Sequence, residues 1–94
     1  MKPLLLSVLL AGSAFAAEPT VTIDAKDEDV RVILKTMQKQ CGIKNLLIDT
    51  DVSGKGMVYF RDVPCTTALR TVMRQFGLAG QLDGNVVSVE RRDR

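Results

Sequence analysis

The residues best suited to chemistry lie in one short segment, 49–54, whose oxygen-bearing side chains are spaced like the start of a calcium-binding loop. Asp49, Asp51 and Ser53 take the first, third and fifth positions, and Gly54 takes the sixth, as in the first half of an EF-hand loop. That loop needs a bidentate glutamate at its twelfth position, where this chain has Phe60. The following residues also have the pattern of a strand, although an EF-hand continues as a helix. We therefore predict a polar turn here and no metal site.

The same segment could also be considered for acid–base catalysis, because Asp49 and Asp51 form a pair of nearby carboxylates. No apolar pocket that would raise the pKa of either carboxyl is evident from the sequence. Ser53, Thr66 and Thr67 have no identifiable activating base, and the chain contains no histidine. A Ser-His pair and a histidine-ligated zinc or haem are thereby excluded. The sequence predicts a protein that is not an enzyme and that carries no cofactor.

The first sixteen residues have the composition of a secretory signal peptide. A positive start at Met1-Lys2 precedes a leucine-rich run over residues 3–12, and Ala14-Phe15-Ala16 fits a small-x-small cleavage site. The run is too short for a membrane-spanning helix, which needs roughly 20 residues. We predict an exported mature chain of residues 17–94. The net charge of +2 gives no overall electrostatic reason to bind nucleic acid.

The chain has two cysteines, Cys41 and Cys65. Export places them in an oxidising compartment, where a small domain gains from a covalent cross-link. Because no third cysteine competes, we predict a Cys41–Cys65 disulfide; the alternative is two separate buried thiols. A redox-active pair is disfavoured, since the C-x-x-C spacing is absent.

The first half of the chain predicts a strand, a helix and a second strand. Val21 and Ile23 share one face of a strand over residues 20–24. Asp27 is predicted to cap a helix that runs to about Gln40 and is stopped by Gly42. An apolar stripe at helical spacing supports that helix: Val30, Ile33, Leu34, Met37 and Cys41. Residues 45–48 have the length and composition of a short strand.

The second half predicts a strand, a helix and a hairpin. Residues 56–63 alternate between the two faces of a strand, and Pro64 suits the start of a helix that ends at Gly77. Residues 81–82 and 86–90 flank an Asp-Gly-Asn turn, a strong hairpin signal. The predicted order is βαββαββ, and the fold class is α+β.

The order of these elements resembles the secretin and TonB short N-terminal domain, a small periplasmic module. The resemblance rests on the apolar helix over 30–37, the short strand 46–49, Asp-Val-Ser-Gly at 51–54, Asp-Val-Pro at 62–64, Ala-Leu at 68–69, and the hairpin over 82–89. It covers about residues 20–90. It implies two helices packed between a two-stranded and a three-stranded sheet. It also implies protein–protein contact in place of catalysis.

The resemblance implies a function in the cell envelope. We expect a free-standing periplasmic interaction module, accessory or adaptor to an outer-membrane secretin, a pilus or secretion system, or a TonB-dependent receptor. Its partner would be a secretin, a receptor or a component of the inner-membrane machinery. No secretin core or receptor barrel follows within the 94 residues, so pore formation and transport are not extended to this chain. The alternative is a disulfide-stapled secreted effector or enzyme inhibitor.

Two features are candidates for partner binding. Lys35 and Lys39 continue a basic stripe that begins at Arg31, and Arg70 and Arg74 repeat the same spacing on the second helix. These cations form either a solvated face or a surface for an acidic partner. Val87, in the last predicted strand, is the second candidate, because a short strand at a sheet edge can pair with a partner strand.

Overall fold

The computed structural model describes residues 18–92, which form five strands and two helices in the predicted order βαββαββ. The predicted signal peptide, residues 1–16, lies outside the described residues. The elements are β1 (Thr20–Asp29), α1 (Val30–Cys41), β2 (Asn45–Ile48), β3 (Lys55–Pro64), α2 (Cys65–Gln75), β4 (Leu78–Asp83) and β5 (Val86–Arg91).

The strands form two separate sheets, and the two helices pack between them. β1 pairs with β3 in an antiparallel two-stranded sheet. The second sheet has the order β2-β5-β4, with β2 parallel and β4 antiparallel to β5. The α+β class and the arrangement that the resemblance implied are confirmed.

Alternation in the strands and the helical stripe of α1 build a single core. Val21, Ile23 and Ala25 of β1 are buried, whereas the residues between them are exposed. The remaining buried apolar residues come from both helices, from β3, β4 and β5, and from the loop before β3: Val30, Ile33, Leu34, Met37, Val52, Val58, Cys65, Ala68, Val72, Leu78 and Val89. Burying one of the larger apolar side chains stabilises the fold by about 1.5–3 kcal/mol. Together these contributions hold the helices against the sheets.

Helix α1 begins two residues later than the sequence predicted. Asp29 caps it, because the Asp29 side chain accepts a hydrogen bond of 2.8 Å from the Arg31 amide. The prediction of Asp27 as the cap is wrong, since β1 continues through Asp29 and pairs that residue with Lys55 of β3. The other end agrees with the prediction: Gly42 terminates the helix with a φ of 70°, a conformation that favours glycine.

Strand β5 lies in the centre of its sheet, so the prediction of an edge strand there is wrong. Residues 45–48 pair with residues 86–89 on one side of β5, and β4 pairs with the other side. Val89, only 2% exposed, is one of the core residues. Its parallel partner β2 is about 40 residues away in sequence. The local sequence of β5 therefore does not indicate whether this strand lies at the centre or at the edge of the sheet. The edges of this sheet are β2 and β4.

Candidate protein-interaction surfaces

Arg31 holds the loop that resembled a calcium site. Its Nε donates a hydrogen bond of 3.0 Å to the Val52 carbonyl, and its Nη2 donates bonds of 3.0 and 2.9 Å to the carbonyls of Asp49 and Thr50. The loop thus directs backbone oxygens at a guanidinium cation. Residues 18–92 contain no cluster of three or more His, Cys, Asp or Glu side chains that could hold a metal ion. Because Arg31 is bound to this loop, it is not part of an accessible basic stripe with Lys35 and Lys39.

A disulfide joins Cys41 to Cys65, as the sequence predicted. Cys41 is the last residue of α1 and Cys65 is the first residue of α2, and their Cα atoms are 6.0 Å apart. The amide of Cys65 also donates a hydrogen bond of 3.0 Å to the carbonyl of Pro19. The bridge therefore fixes the end of one helix, the start of the other and the segment that enters β1.

Lys35 and Lys39 lie side by side on the outer face of α1, and both are exposed. Together with Val32 and Thr36 they line a shallow depression of about 260 Å³. Val32 is apolar yet 46% exposed. Lys39 stands in the last turn of the helix, where the helix dipole favours a cation. The structure thus brings the two lysines together beside an exposed apolar side chain, and their role in binding stays a prediction.

Glutamine side chains cover positions on both outer edges of the two-stranded sheet. Gln40, near the end of α1, accepts a bond of 2.8 Å from the Thr22 amide and donates one of 3.0 Å to the Thr22 carbonyl. Gln75, at the end of α2, donates a bond of 3.1 Å to the Met57 carbonyl on β3. Such side chains occupy backbone groups that another strand would need.

A groove of about 590 Å³ runs between α2 and the β4–β5 hairpin. It is called the α2–β4 groove below. Its lining includes apolar side chains and three arginines: Thr66, Leu69, Arg70, Met73, Arg74, Leu78, Ala79, Gly80, Gln81, Leu82, Val87 and Arg92. Val87, predicted as an edge contact, is half-buried and lines this groove instead.

Sequence reasoning identified Arg70 and Arg74 but missed the groove beside them. Leu69 and Met73 of α2 are only half-buried, and Leu82 of β4 is 75% exposed. Gly80 marks the groove, because a Cβ there would stand 2.7 Å from the Met73 thioether.

None of the helices within residues 18–92 is long and apolar enough to cross a membrane. No family model matches the sequence.

Two curated proteins share substantial sequence identity with the chain. It is 35% identical over 85 residues to the DNA utilization protein HofQ of Escherichia coli K12, across 90% of this chain and 20% of that protein. It is 33% identical over 73 residues to the type IV pilus biogenesis and competence protein PilQ of Neisseria meningitidis, across 78% of this chain and 10% of that protein. The chain thus spans only a tenth to a fifth of the length of these relatives.

The solved structures that share the fold include two secretins. The N0 domain of the type II secretin from enterotoxigenic Escherichia coli superposes with a TM-score of 0.66 at 19% identity, over 80% of this chain and 98% of that chain. The type IV competence pilus secretin PilQ of Vibrio cholerae gives a TM-score of 0.68 at 26% identity, over 77% of this chain and 17% of that chain. The chain is therefore similar in fold to a secretin N0 domain, and similar in both sequence and fold to part of a competence-pilus secretin.

Proposed function

We propose that the chain is an exported periplasmic protein–protein interaction module that works with an outer-membrane secretin or a related pilus, secretion or TonB-dependent receptor system, as an accessory or adaptor. Its partner is a protein of the cell envelope. The observation that carries this proposal is the 33–35% identity to PilQ and HofQ across most of this chain. The equivalent part of these relatives is a small fraction of a long protein, as expected of a module.

The surface features of residues 18–92 agree with a binding role. Arg31 holds the loop 49–54 through its backbone carbonyls, and both cysteines are in the disulfide. Large apolar side chains remain exposed on several elements: Val32, Leu47, Met57, Tyr59 and Leu82. Aromatic residues, methionine and arginine are enriched where proteins bind one another.

A direct test is to capture the partner in the native host. The full chain, carrying a C-terminal affinity tag and a photo-crosslinking amino acid at Val32, is irradiated in intact cells and purified under denaturing conditions. Capture of a secretin, a receptor or an inner-membrane component of the machinery supports the proposal. Capture of a hydrolase supports the inhibitor alternative instead. The same preparation gives the intact mass of the exported chain, which we expect to begin at Ala17.

Lys35 and Lys39 are proposed to steer this partner by charge. In Lys35→Glu/Lys39→Glu the rate of association with the captured partner should fall about tenfold at low salt, because steering by local charge changes rates by about 10-fold or more. The matched control is Lys26→Glu/Lys44→Glu, which makes the same change in net charge at two other exposed lysines. If both variants slow association equally, the cause is the net charge and not the position of the lysines. If neither variant changes the rate of association, Lys35 and Lys39 belong to a solvated face.

A further inference from the structure

We propose that the α2–β4 groove binds an extended acidic peptide segment, which adds to β4 as a fourth strand of the three-stranded sheet. This inference rests on the proposed function and specifies the chemistry of one partner segment. The three observations behind it are an open strand edge, an apolar floor beside that edge, and cations that no carboxylate in the groove balances.

The edge of β4 presents backbone groups to an incoming strand. Gly84 and Asn85 form a two-residue turn, so the flanking pair Asp83–Val86 is hydrogen-bonded across the hairpin. In an antiparallel pair the hydrogen-bonded residues alternate along the strand. Gly80 and Leu82 therefore direct their N–H and C=O groups away from β5, toward the open edge. The carbonyl of Leu78, which has the same orientation, already accepts a bond of 3.2 Å from Arg92 Nη2.

The other sheet is less suitable for strand addition. Gln40 bonds both backbone groups of Thr22 on the outer side of β1, and Gln75 bonds the Met57 carbonyl on β3. A strand that paired at either place would first have to displace a side-chain amide. The edge of β4 at Gly80 and Leu82 carries no such side-chain bond among the interactions of residues 18–92. Of the two edges of the three-stranded sheet, β2 and β4, only β4 contributes residues to the groove and lies beside its arginines, so strand addition is expected at β4.

The groove supplies an apolar surface under the added strand. Leu78, Gly80 and Leu82 pair with Arg91, Val89 and Val87, so these positions of β4 share the face of the sheet that holds the core residue Val89. On this face Leu82 is 75% exposed. Leu69 and Met73 of α2 are half-buried opposite it. Alternate side chains of an added strand would point into this space and bury apolar surface.

The charges of the groove select an acidic segment. Arg70, Arg74 and Arg92 line it, and its lining within the described residues contains no aspartate or glutamate. The Glu18 carboxylate, beside one end of the groove, accepts a bond of 3.0 Å from the lining residue Thr66. Arg70 and Arg74 are one helical turn apart, about 6 Å along the axis at 1.5 Å per residue. Side chains two residues apart on a strand are separated by about 6.5–7 Å. Two carboxylates at alternate positions of the added strand are thus spaced much as Arg70 and Arg74 are along α2.

The first experiment selects ligands from random sequences, so it does not require that the partner be identified. A phage-displayed library of random nine-residue peptides is panned against the purified full chain and, in parallel, against Arg70→Glu/Arg74→Glu. We expect the wild-type protein to enrich peptides with Asp or Glu at alternate positions and apolar residues on the same strand face. We expect the charge-reversed protein not to enrich them. Enrichment of peptides without acidic residues, or no enrichment by the wild-type protein, would overturn the proposal.

The second experiment locates the binding site and tests the strand geometry. An enriched peptide should shift the amide NMR signals of Gly80 and Leu82, and Arg70→Glu/Arg74→Glu should weaken its binding at least tenfold. Lys26→Glu/Lys44→Glu, with the same change in net charge, should bind it as the wild-type protein does. Two forms of the peptide are compared, one N-methylated at odd-numbered amides and one at even-numbered amides. Because an added strand bonds its neighbour through alternate amides, one form should lose binding and the other should keep it. Equal losses in both charge variants, or equal effects of both methylated peptides, would refute strand addition at this groove.

Three further outcomes are informative. If the protein alone sediments as a dimer whose NMR interface maps to β4, a second copy occupies this edge and the proposal of an acidic partner is wrong. If crosslinking at Val32 captures no envelope protein while acidic peptides still bind the groove, the groove proposal stands and the proposed function fails. If Arg70→Glu/Arg74→Glu captures an envelope partner as well as the wild-type protein does, and acidic peptides do not bind, the proposed function stands and the groove proposal fails.

Discussion

The Cys41–Cys65 disulfide offers the sharpest test of how this small fold is stabilised. It links residues separated by 24 positions, which enclose all of β2 and β3 and the loop held by Arg31. Reduction of the bridge leaves the side chains in place and removes only the cross-link. The unfolded chain then gains conformations, whereas the folded chain keeps its apolar contacts.

The size of the effect follows from the length of the loop. Chain-entropy accounting gives about 3.5 kcal/mol for a loop of roughly 25 residues. The described residues would have a total free energy of unfolding of about 4–11 kcal/mol at 0.05–0.15 kcal/mol per residue. A loss of this size should lower Tm by about 14–28 °C, because each kcal/mol is worth roughly 4–8 °C in a domain of 60–100 residues.

The assay is thermal and urea unfolding followed by circular dichroism, with and without reductant, on the full chain. Complete reduction is verified by thiol labelling and mass. The urea m-value should rise on reduction, since the unfolded chain exposes more surface without the cross-link. The double variant Cys41→Ala/Cys65→Ala is the control and should not respond to reductant. A fall in Tm of less than about 5 °C in fully reduced protein would refute the reasoning from loop entropy.

Three further predictions concern local contacts, each measured as a change in the free energy of urea unfolding. Arg31→Ala should cost about 2–3 kcal/mol, because it removes three hydrogen bonds from a charged donor to loop carbonyls. Arg31→Met keeps the apolar part of the side chain, so a much smaller cost in that variant would show that Arg31 acts only through packing. Asp29→Ala should cost about 1 kcal/mol by removing the helix cap, whereas Asp27→Ala should change stability by less than about 0.5 kcal/mol; the opposite ranking would restore the cap predicted from sequence. Gly56→Ala should cost about 1–3 kcal/mol, because the added Cβ would stand 2.9 Å from the Phe76 ring. Gly80→Ala should cost less, because the flexible Met73 side chain can move aside. Equal costs in the two variants would contradict this distinction.

Local pattern was enough to predict the helices, and tertiary pairing determined where α1 begins. The apolar spacing of α1 and the glycine that ends it are properties of adjacent residues, so both were predictable. The cap was not, because Asp27, Glu28 and Asp29 follow one another and the two aspartates can each cap a helix. The pairing of Asp29 with Lys55 decides between them. An extra residue in β1, between Ala25 and Glu28, accommodates that pairing as a bulge.

Strand order and the groove depended on contacts that are distant in sequence. The hairpin of β4 and β5 was predictable from its turn, but its pairing with β2 brings together segments about 40 residues apart. The centre of the sheet therefore could not be distinguished from its edge by the composition of β5. Val87 illustrates the result: it was selected as a partner contact at an edge, and it lies in the α2–β4 groove. Its candidate role now depends on that groove.

The structure also divides the cations that the sequence presented as two helical stripes. Arg31 is bound to the loop 49–52, Lys35 and Lys39 share an open depression on α1, and Arg70 and Arg74 border an apolar groove. Charge at an open surface acts mainly on the rate of encounter and is screened within about 8 Å at physiological salt. Charge beside apolar surface becomes desolvated when a partner binds, and it is then less sensitive to salt. The lysines should therefore govern how fast a partner arrives and the groove how long it stays, so raising the salt concentration should abolish the effect of Lys35→Glu/Lys39→Glu on association before it abolishes peptide binding to the groove.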